Sequence, residues 1–160
     1  MGSFSIWHWL IVFIVFLVPL FFILRNAPDG ANRFGELPVA MNFGQAIGSF
    51  FRNYVEFSGR ASRSEFWYSM LFVFIVTLVA DVLDPTEVIS GAFSLAILLP
   101  TIAVAARRLH DINRSGWHQI LSYFFPIGTI ALIIWYCKPA LDGAPVMAKH
   151  IPPPRNNEFG

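Results

Sequence analysis

Long runs of apolar residues, separated by shorter polar segments, set the pattern of this chain. Four of the runs contain no Lys or Arg, and each can cross a hydrocarbon core of about 30 Å as a helix rising about 1.5 Å per residue. A span must satisfy its own backbone polar groups, and polarity does not alternate along these runs, so helices are predicted rather than barrel strands. The four predicted spans are Phe4–Leu24, Phe66–Leu83, Val88–Ala106 and Gln119–Cys137.

Residues 41–55 follow a different pattern, in which apolar side chains recur at steps of three and four. The pattern predicts an amphipathic helix just before the second span and too short to cross a membrane. Its aromatic face lies either in the cytoplasmic membrane interface or against the bundle, and the pattern favours neither position. The expected fold is an all-α, polytopic membrane helical bundle with four transmembrane helices and one interfacial amphipathic helix. The apolar positions are Met41, Phe43, Ala46, Ile47, Phe50, Phe51, Tyr54 and Val55.

Two helix starts carry capping signals. Ser62–Glu65 has the Ser-x-x-Glu spacing of a capping box, and Asp84–Glu87 offers an acidic N-cap followed by proline at the first helical position. Pro19, Pro100 and Pro126 fall inside predicted spans, where each removes a backbone donor. We expect each proline to bend its helix.

These elements divide the chain into three parts. Residues 1–40 form an N-terminal transmembrane anchor and linker, and residues 41–145 form a three-span membrane domain led by the amphipathic helix. Residues 146–160 form a flexible Pro-rich tail, since the consecutive prolines Pro152–Pro154 favour an extended conformation.

A short internal similarity links the first connection with the tail. Residues 29–35, Asp-Gly-Ala-Asn-Arg-Phe-Gly, resemble Asp142–Ala144 and then Asn156–Gly160. Short Gly-containing matches are common by chance, so no repeat architecture is predicted from them.

Composition agrees with a membrane protein, because 56% of the residues are hydrophobic and 13% are charged. That charged fraction is about half of what soluble domains carry. The net charge of +1 gives no reason to expect a polyanionic partner, and nucleic-acid binding is not expected. The single cysteine, Cys137, cannot form an intramolecular disulfide and has no Cys or His neighbours at metal-ligand spacing. Neither a metal nor a cofactor is expected.

Basic residues are concentrated in two connections, which the positive-inside rule places in the cytoplasm. The connection between spans two and three has acidic residues and no basic one, so it is predicted to lie on the opposite, periplasmic side. The N-terminus, which has no charged side chain before Arg25, is predicted to lie on that side as well. Alternation then puts the tail outside, although the tail contains basic residues. The arginines of the two connections are Arg25, Arg33, Arg52, Arg60 and Arg63, then Arg107, Arg108 and Arg114.

Two arginine-rich motifs lie at the predicted cytoplasmic edges, Phe57–Trp67 (FSGRASRSEFW) and Ala106–Trp117 (ARRLHDINRSGW). On these motifs and on Pro126–Gly128, the chain from Met41 onward resembles the Domain of Unknown Function 805 family of small bacterial inner-membrane proteins. The resemblance implies a bacterial inner-membrane protein of unassigned activity. The first thirteen residues also resemble the start of the A-type subunit of the twin-arginine translocase, which implies a shared anchor pattern only.

The arginine motifs allow two interpretations. Interfacial arginines follow the positive-inside rule and snorkel, with Glu65 and Asp111 as simple ion-pair partners. Alternatively, their forked donors bind the phosphates of anionic lipid head groups or bind a protein partner. The candidate binding residues are Arg60, Arg63, Arg107, Arg108 and Arg114, supported by Glu65, His110, Asp111, Trp67 and Trp117.

No catalytic residue is predicted. His110 and Asp111 are adjacent, and adjacent residues on a helix do not face each other. A transporter or channel component is one alternative, but Asp81, near the outer end of its span, is the only acid within a predicted span. An accessory subunit of a larger membrane complex, or a homo-oligomer, is another. We expect a non-enzymatic inner-membrane protein whose partners are membrane lipids, anionic ones included.

Overall fold

The structure is a computed structural model, and it describes residues 31–83 and 88–141 together with residues 10, 11, 14, 20, 21, 23, 25 and 27. Most of the first predicted span, the cap predicted at Asp84–Glu87 and the tail from residue 142 onward lie outside the described residues. The described part is all-helical. Its elements are α1 (Phe43–Arg52), α2 (Arg63–Leu83), α3 (Val88–Asp111), a 3-10 helix (Gly116–Tyr123) and α4 (Ile127–Cys137).

The predicted amphipathic helix is present as α1. Its start is fixed by a capping box, in which the Asn42 side chain accepts from the Gln45 backbone N–H and the Gln45 side chain accepts from the Asn42 N–H. Ala46 and Phe50 are fully buried, and Phe50 packs in a core cluster with residues of α2 and α3, whereas Phe43 and Val55 of the same face are exposed. Phe51 remains 47% exposed at its edge.

Helix α2 begins at Arg63, one turn earlier than the predicted span, and uses only half of its predicted capping box. The Ser62 hydroxyl accepts from the Glu65 N–H at 3.2 Å. The Glu65 carboxylate instead bonds Ser49 of α1 and Arg107 of α3. The residue expected to close a local cap therefore ties three helices together.

Helices α2 and α3 are the two described helices long and apolar enough to cross a membrane. The 21 residues of α2 rise roughly 31 Å, close to the thickness of a hydrocarbon core. Only 11% of its most apolar window is buried, which is unlike the core helix of a soluble protein. Its exposed side chains include Phe74, Leu78, Val82 and Leu83, as a lipid-facing helix requires.

Pro100 lies inside α3, and the helix continues through it. Because proline has no N–H, the carbonyl of Ala96 lacks its usual helical donor. The Tyr54 hydroxyl, just beyond α1, donates to that carbonyl. The proline thus creates the acceptor by which the end of α1 is attached to α3.

The predicted fourth span is wrong as a continuous helix, because Gln119–Cys137 is divided between the 3-10 helix and α4. Pro126 stands between them and cannot donate to the preceding turn. The 3-10 helix runs back along α3, where the Gln119 side chain donates to the Ile102 carbonyl at 3.3 Å. Helix α4 then reverses direction, so that the rings of Trp135 and His118 are in contact at 5.5 Å.

The 3-10 helix and α4 form a hairpin. It begins and ends at the same end of the molecule as the start of α2. Gly116, at its beginning, lies against Ala106, and the Tyr136 carbonyl, near its end, accepts from Arg108. The Leu141 N–H donates to the Asp111 carbonyl at 2.9 Å. Gly116 and Leu141 therefore lie at the same end of the described part of the chain.

The hairpin closes at Gly128, which approaches the backbone of Leu121. A Cβ at Gly128 would lie 1.9 Å from the Leu121 carbonyl oxygen. We expect Gly128→Ala to destabilise the protein by at least about 1–3 kcal/mol, because the backbone cannot yield as a flexible side chain would. Thermal unfolding in detergent, followed by size-exclusion chromatography, measures the loss.

Gly91→Ala is the matched control, because Gly91 is an exposed α3 residue with nothing within 4 Å of an added Cβ. We expect it to be neutral or slightly stabilising, as alanine favours a helix. Equal stability of the Gly128→Ala variant and the parent would contradict the close hairpin.

Candidate functional site

Five charged side chains meet where α2 begins and α3 ends. Glu65 lies in the first turn of α2, and Arg60 precedes that helix by three residues. Arg107, Arg108 and Asp111 belong to the last turns of α3, rather than to the loop in which the two arginines were predicted. Together they form what we call the arginine–carboxylate cluster, defined as Arg60, Glu65, Arg107, Arg108 and Asp111.

Glu65 organises one half of the cluster. Its Oε1 accepts from Arg107 Nη1 at 2.8 Å and from the Ser49 hydroxyl at 2.8 Å. Ser49 in turn accepts from Asn53 at the end of α1. The Ala61 N–H donates to the Arg107 carbonyl at 3.0 Å, so backbone and side chain hold the same two elements together.

Asp111 organises the other half. Its Oδ1 accepts two bonds from Arg60, from Nε at 2.9 Å and from Nη2 at 2.7 Å. Its Oδ2 accepts from Arg108. The remaining Arg108 donors reach the carbonyls of Tyr136 and Lys138, at the C-terminal end of α4. A cation there also complements the helix dipole.

The cluster is almost inaccessible to solvent, since its paired side chains are at most 5% exposed. Buried ions lose their hydration, so such pairs persist only with well-formed hydrogen bonds. Three guanidinium groups face two carboxylates, which leaves one positive charge in excess. Arg107 Nε and Nη2 and the Ser69 hydroxyl are buried without a hydrogen-bond partner in the described part of the chain.

Arg114 was predicted to join the same face but lies apart from the cluster. Its guanidinium stacks on the Trp135 ring at 4.0 Å and donates to the Arg25 carbonyl. Burial lowers the pKa of the Arg114 guanidinium from its usual value. Its role in the fold is to join the connection after α3 to α4 and to the residues near Arg25.

Arg63 differs from the other candidates because it is exposed and has no ion pair or hydrogen bond to any described residue. It lies at a cavity of about 300 Å³ at the start of α2. The hydroxyls of Ser62 and Ser64 line the cavity beside it. The cavity is completed by Pro38, Ala40, Asp111 and Ala140.

The two tryptophans of the arginine motifs are exposed, as interfacial anchors would be. Trp67 is 41% exposed and Trp117 is 85% exposed. His110 and Asp111 point to different partners, as their adjacency on a helix predicts: His110 Nδ1 lies 3.0 Å from the Gly59 carbonyl oxygen. Among the residues that the structure describes, no group of His, Cys, Asp or Glu could hold a metal ion.

Sequence reasoning missed a segment that covers this end of the bundle. Asn32 donates to the carbonyls of His110 and Asp111, and the Phe34 ring stacks on His110 at 3.8 Å. Arg60 Nη1 donates to the Gly35 carbonyl at 3.1 Å. Two signals in the sequence could have singled the segment out: the internal similarity of residues 29–35, and the likeness of residues 32–35, Asn-Arg-Phe-Gly, to the Asn-Arg-Tyr/Phe-Gly ending common in the family that the chain resembles.

The family model for Protein of unknown function (DUF805) matches residues 54–145. The chain belongs to the DUF805 family. The matched region contains every member of the arginine–carboxylate cluster, and it is shorter than the resemblance expected from Met41 to the C-terminus.

Curated DUF805 relatives include two inner membrane proteins of Escherichia coli K12. Inner membrane protein YhaI is 36% identical over 104 residues, covering 60% of this chain and 86% of the relative. Inner membrane protein YhaH is 34% identical over 101 residues, covering 58% and 84%. No solved structure matches. With these relatives and its lipid-exposed helices, this DUF805 chain is an inner-membrane protein.

The cluster predicts a large stability loss for Asp111→Asn. The change removes the carboxylate shared by Arg60 and Arg108 and leaves two buried guanidinium groups with an uncompensated charge. Breaking a buried pair in this way costs about 3–5 kcal/mol. Thermal unfolding of the purified protein in detergent measures the loss.

Glu56→Gln removes the same type of charge from an exposed position, where the Glu56 carboxylate accepts from the nearby Ser58. We expect its unfolding temperature to match that of the parent. Similar unfolding temperatures for the Asp111 and Glu56 variants would contradict a structural role for the cluster.

Proposed function

We propose that this protein is a non-enzymatic membrane protein whose cytoplasmic end binds the head groups of anionic lipids. The observation that carries the proposal is Arg63, exposed and unpaired at the mouth of the cavity. A guanidinium group offers forked donors to phosphate oxygens, and a basic residue near an anionic membrane surface contributes about 1 kcal/mol to binding.

The proposal divides the arginines into two groups with different roles. Arg60, Arg107 and Arg108 each have a carboxylate partner and are buried, so they are committed to the fold, although Arg107 uses only its Nη1 in a described hydrogen bond. Their role is to shape the end of the bundle and to leave an excess of positive charge beneath the cavity. Arg63 is the residue that remains available for an external phosphate.

The surroundings of Arg63 fit a head group. Ser62 and Ser64 line the cavity, with their hydroxyls bonded to each other and to backbone N–H groups, and Trp67 lies one helical turn further along α2 with 41% of its surface exposed. Tryptophan prefers the head-group level of a bilayer. A phosphate at the cavity would therefore lie at the depth that lipid phosphates occupy.

For the described residues we further propose that α2 and α3 are spans and that a re-entrant hairpin replaces the span predicted at Gln119–Cys137, while the span predicted at Phe4–Leu24 lies mostly outside the described residues. The hairpin's 3-10 helix has 8 residues and α4 has 11, so each arm rises only about 16 Å, roughly half of a hydrocarbon core. The arginine-rich segments and Leu141 then share the cytoplasmic side. Re-entrant segments are tolerated where protein covers their backbone, as α3 does here.

A non-enzymatic role is favoured by the use already made of the reactive side chains. The ring of His110 is held between the Phe34 ring and the Gly59 carbonyl, while the Asp111 carboxylate is shared by two arginines. Neither is directed at a common point where a reacting atom could bind.

The membrane arrangement is tested by labelling single cysteines with a membrane-impermeant maleimide. In a Cys137→Ser background, Leu141→Cys is compared with Glu56→Cys at the arginine end and Leu83→Cys at the far end of α2. We expect the cysteines at 141 and 56 to react only after cell lysis and the one at 83 to react from the periplasm. If the cysteine at 141 instead reacts from the periplasm, as the cysteine at 83 does, the hairpin is excluded and Gln119–Cys137 forms a full fourth span.

Lipid binding is tested by native mass spectrometry of the parent and an Arg63→Gln variant with added phosphatidylglycerol or phosphatidylcholine. We expect the variant to bind phosphatidylglycerol roughly fivefold more weakly, from the loss of about 1 kcal/mol, with phosphatidylcholine unaffected. Arg52→Gln is the control, because Arg52 is exposed on α1 and does not line the cavity. Equal losses in both variants would indicate general surface charge and exclude a site at Arg63.

A further inference from the structure

The segment Asn32–Gly35 is held at the arginine end by three of its four residues. The Asn32 amide donates to the carbonyls of His110 at 2.9 Å and of Asp111 at 3.2 Å at the end of α3, in addition to the Asn113 and Leu141 N–H groups that these carbonyls accept from. The Asn32 Oδ1 also accepts from the Phe34 N–H at 2.9 Å, which closes a local turn. These bonds require an asparagine at this position.

The other two contacts require an aromatic residue and a glycine. The Phe34 ring lies parallel to His110, with 3.8 Å between ring centroids and 3° between ring planes. Gly35 has a φ of +107°, a conformation that side chains other than glycine rarely adopt, and its carbonyl accepts from Arg60. The second residue, Arg33, is exposed and contributes its backbone N–H, at 3.5 Å from Asn113 Oδ1. The surface formed by Arg60, His110 and Asp111, which we call the docking surface, therefore fits a segment with the pattern Asn-x-Phe-Gly.

The same pattern occurs once more in the chain. Residues 157–160 are Asn-Glu-Phe-Gly, with asparagine, phenylalanine and glycine at the three positions that the surface reads. The only difference is Glu158 in place of Arg33, at the position whose side chain makes no hydrogen bond to the docking surface.

Residues 157–160 can reach the surface from where the described chain stops. The Leu141 carbonyl accepts from Arg60 Nη2, and the Gly35 carbonyl accepts from Nη1 of the same guanidinium. The last described residue therefore adjoins the docking surface. Sixteen positions separate Leu141 from Asn157, and at about 3.3–3.6 Å per extended residue this length of chain is more than sufficient to reach an adjoining surface.

We propose that this surface is a docking site for the pattern Asn-x-Phe-Gly, and that residues 157–160 of the same chain exchange with residues 32–35 on it. Asn157 would take the place of Asn32 on the α3 carbonyls, and Phe159 that of Phe34 on His110. Linkage through residues 142–156 gives an effective concentration in the millimolar range, so modest intrinsic affinity is sufficient.

Charge favours the exchange. The docking surface overlies the arginine–carboxylate cluster, which has one excess positive charge, and exposed Arg63 lies at the neighbouring cavity. Arg33 adds a further positive charge when residues 32–35 are docked. Arg33 is repelled by the excess positive charge of the cluster, whereas Glu158 in its place would be attracted to it. This attraction offsets the entropy cost of ordering the longer linker.

The exchange is tested by photo-crosslinking in the full-length, detergent-purified protein. Phe159 is replaced by the photoreactive amino acid p-benzoylphenylalanine, and crosslinked peptides are identified by mass spectrometry. A second protein with the same replacement at Phe34 maps the contacts of the first occupant. We expect crosslinks from 159 to fall within residues 59–60 and 107–113 of the same chain, overlapping those from 34.

Two variants make the result specific to the pattern. Asn32→Ala weakens the first occupant and should increase the crosslink from 159 severalfold, whereas Asn157→Ala should reduce it by a similar factor. Asn32→Ala can lower the unfolding temperature, because Asn32 bonds to the end of α3. Asn157 lies outside the described residues, so the effect of Asn157→Ala on the crosslink from 159 tests the proposal independently.

Each other outcome overturns the proposal. Crosslinks from 159 that never reach the two segments exclude docking, and crosslinks unaffected by Asn157→Ala exclude recognition through the pattern. Crosslinks that join two chains, seen as a dimer band on a denaturing gel, replace exchange within one chain by assembly between copies.

Discussion

The carboxylate of Asp111, shared between Arg60 and Arg108, is the interaction on which the rest of the structure depends. Arg60 connects it to the segment before α2, and Arg108 connects it to the end of α4 through the Tyr136 and Lys138 carbonyls. A single buried negative charge thus holds three parts of the chain at one end of the bundle. Since a buried guanidinium cannot shed its proton, its pairing is obligatory for folding.

The two halves of the molecule are stabilised by different means. Away from the cluster, α2 and α3 expose Leu, Val and Phe side chains, and their backbone is satisfied within each helix. At the cluster, non-helical backbone is present: the Gly35 and Leu141 carbonyls accept from Arg60, and the Lys138 carbonyl accepts from Arg108. Arginine is suited to this task because its donors diverge in one plane and can serve a carboxylate and several carbonyls together. Most arginines of the motifs are therefore explained by the hydrogen bonds they make within the fold. Arg63 makes no such bond to a described residue and is the exception.

The covering segment Asn32–Gly35 and the cavity are neighbours on the same surface, since Asp111 belongs to both. A change of occupant on the covering site alters the charge beside the cavity from positive to negative. Head-group binding at Arg63 and docking of residues 157–160 are therefore expected to be coupled, because an anionic lipid and Glu158 would compete for the same excess of positive charge.

Hydrophobic patterning was sufficient for the all-helical class, for α1 and for the two long helices, because period and length depend on local residues and on the thickness of a bilayer. The same reasoning failed for Gln119–Cys137, since hydropathy cannot distinguish one long helix from two short arms that reverse at Pro126 and meet at Gly128. Sequence reasoning identified the candidate arginines but could not tell which of them form ion pairs. The paired residues are distant in sequence, as Arg60 and Asp111 are. Ser49 carried no local signal, and Asn32 was marked only by the two short similarities of residues 29–35 and 32–35. Their importance arises from hydrogen bonds that exist only after distant helices have packed.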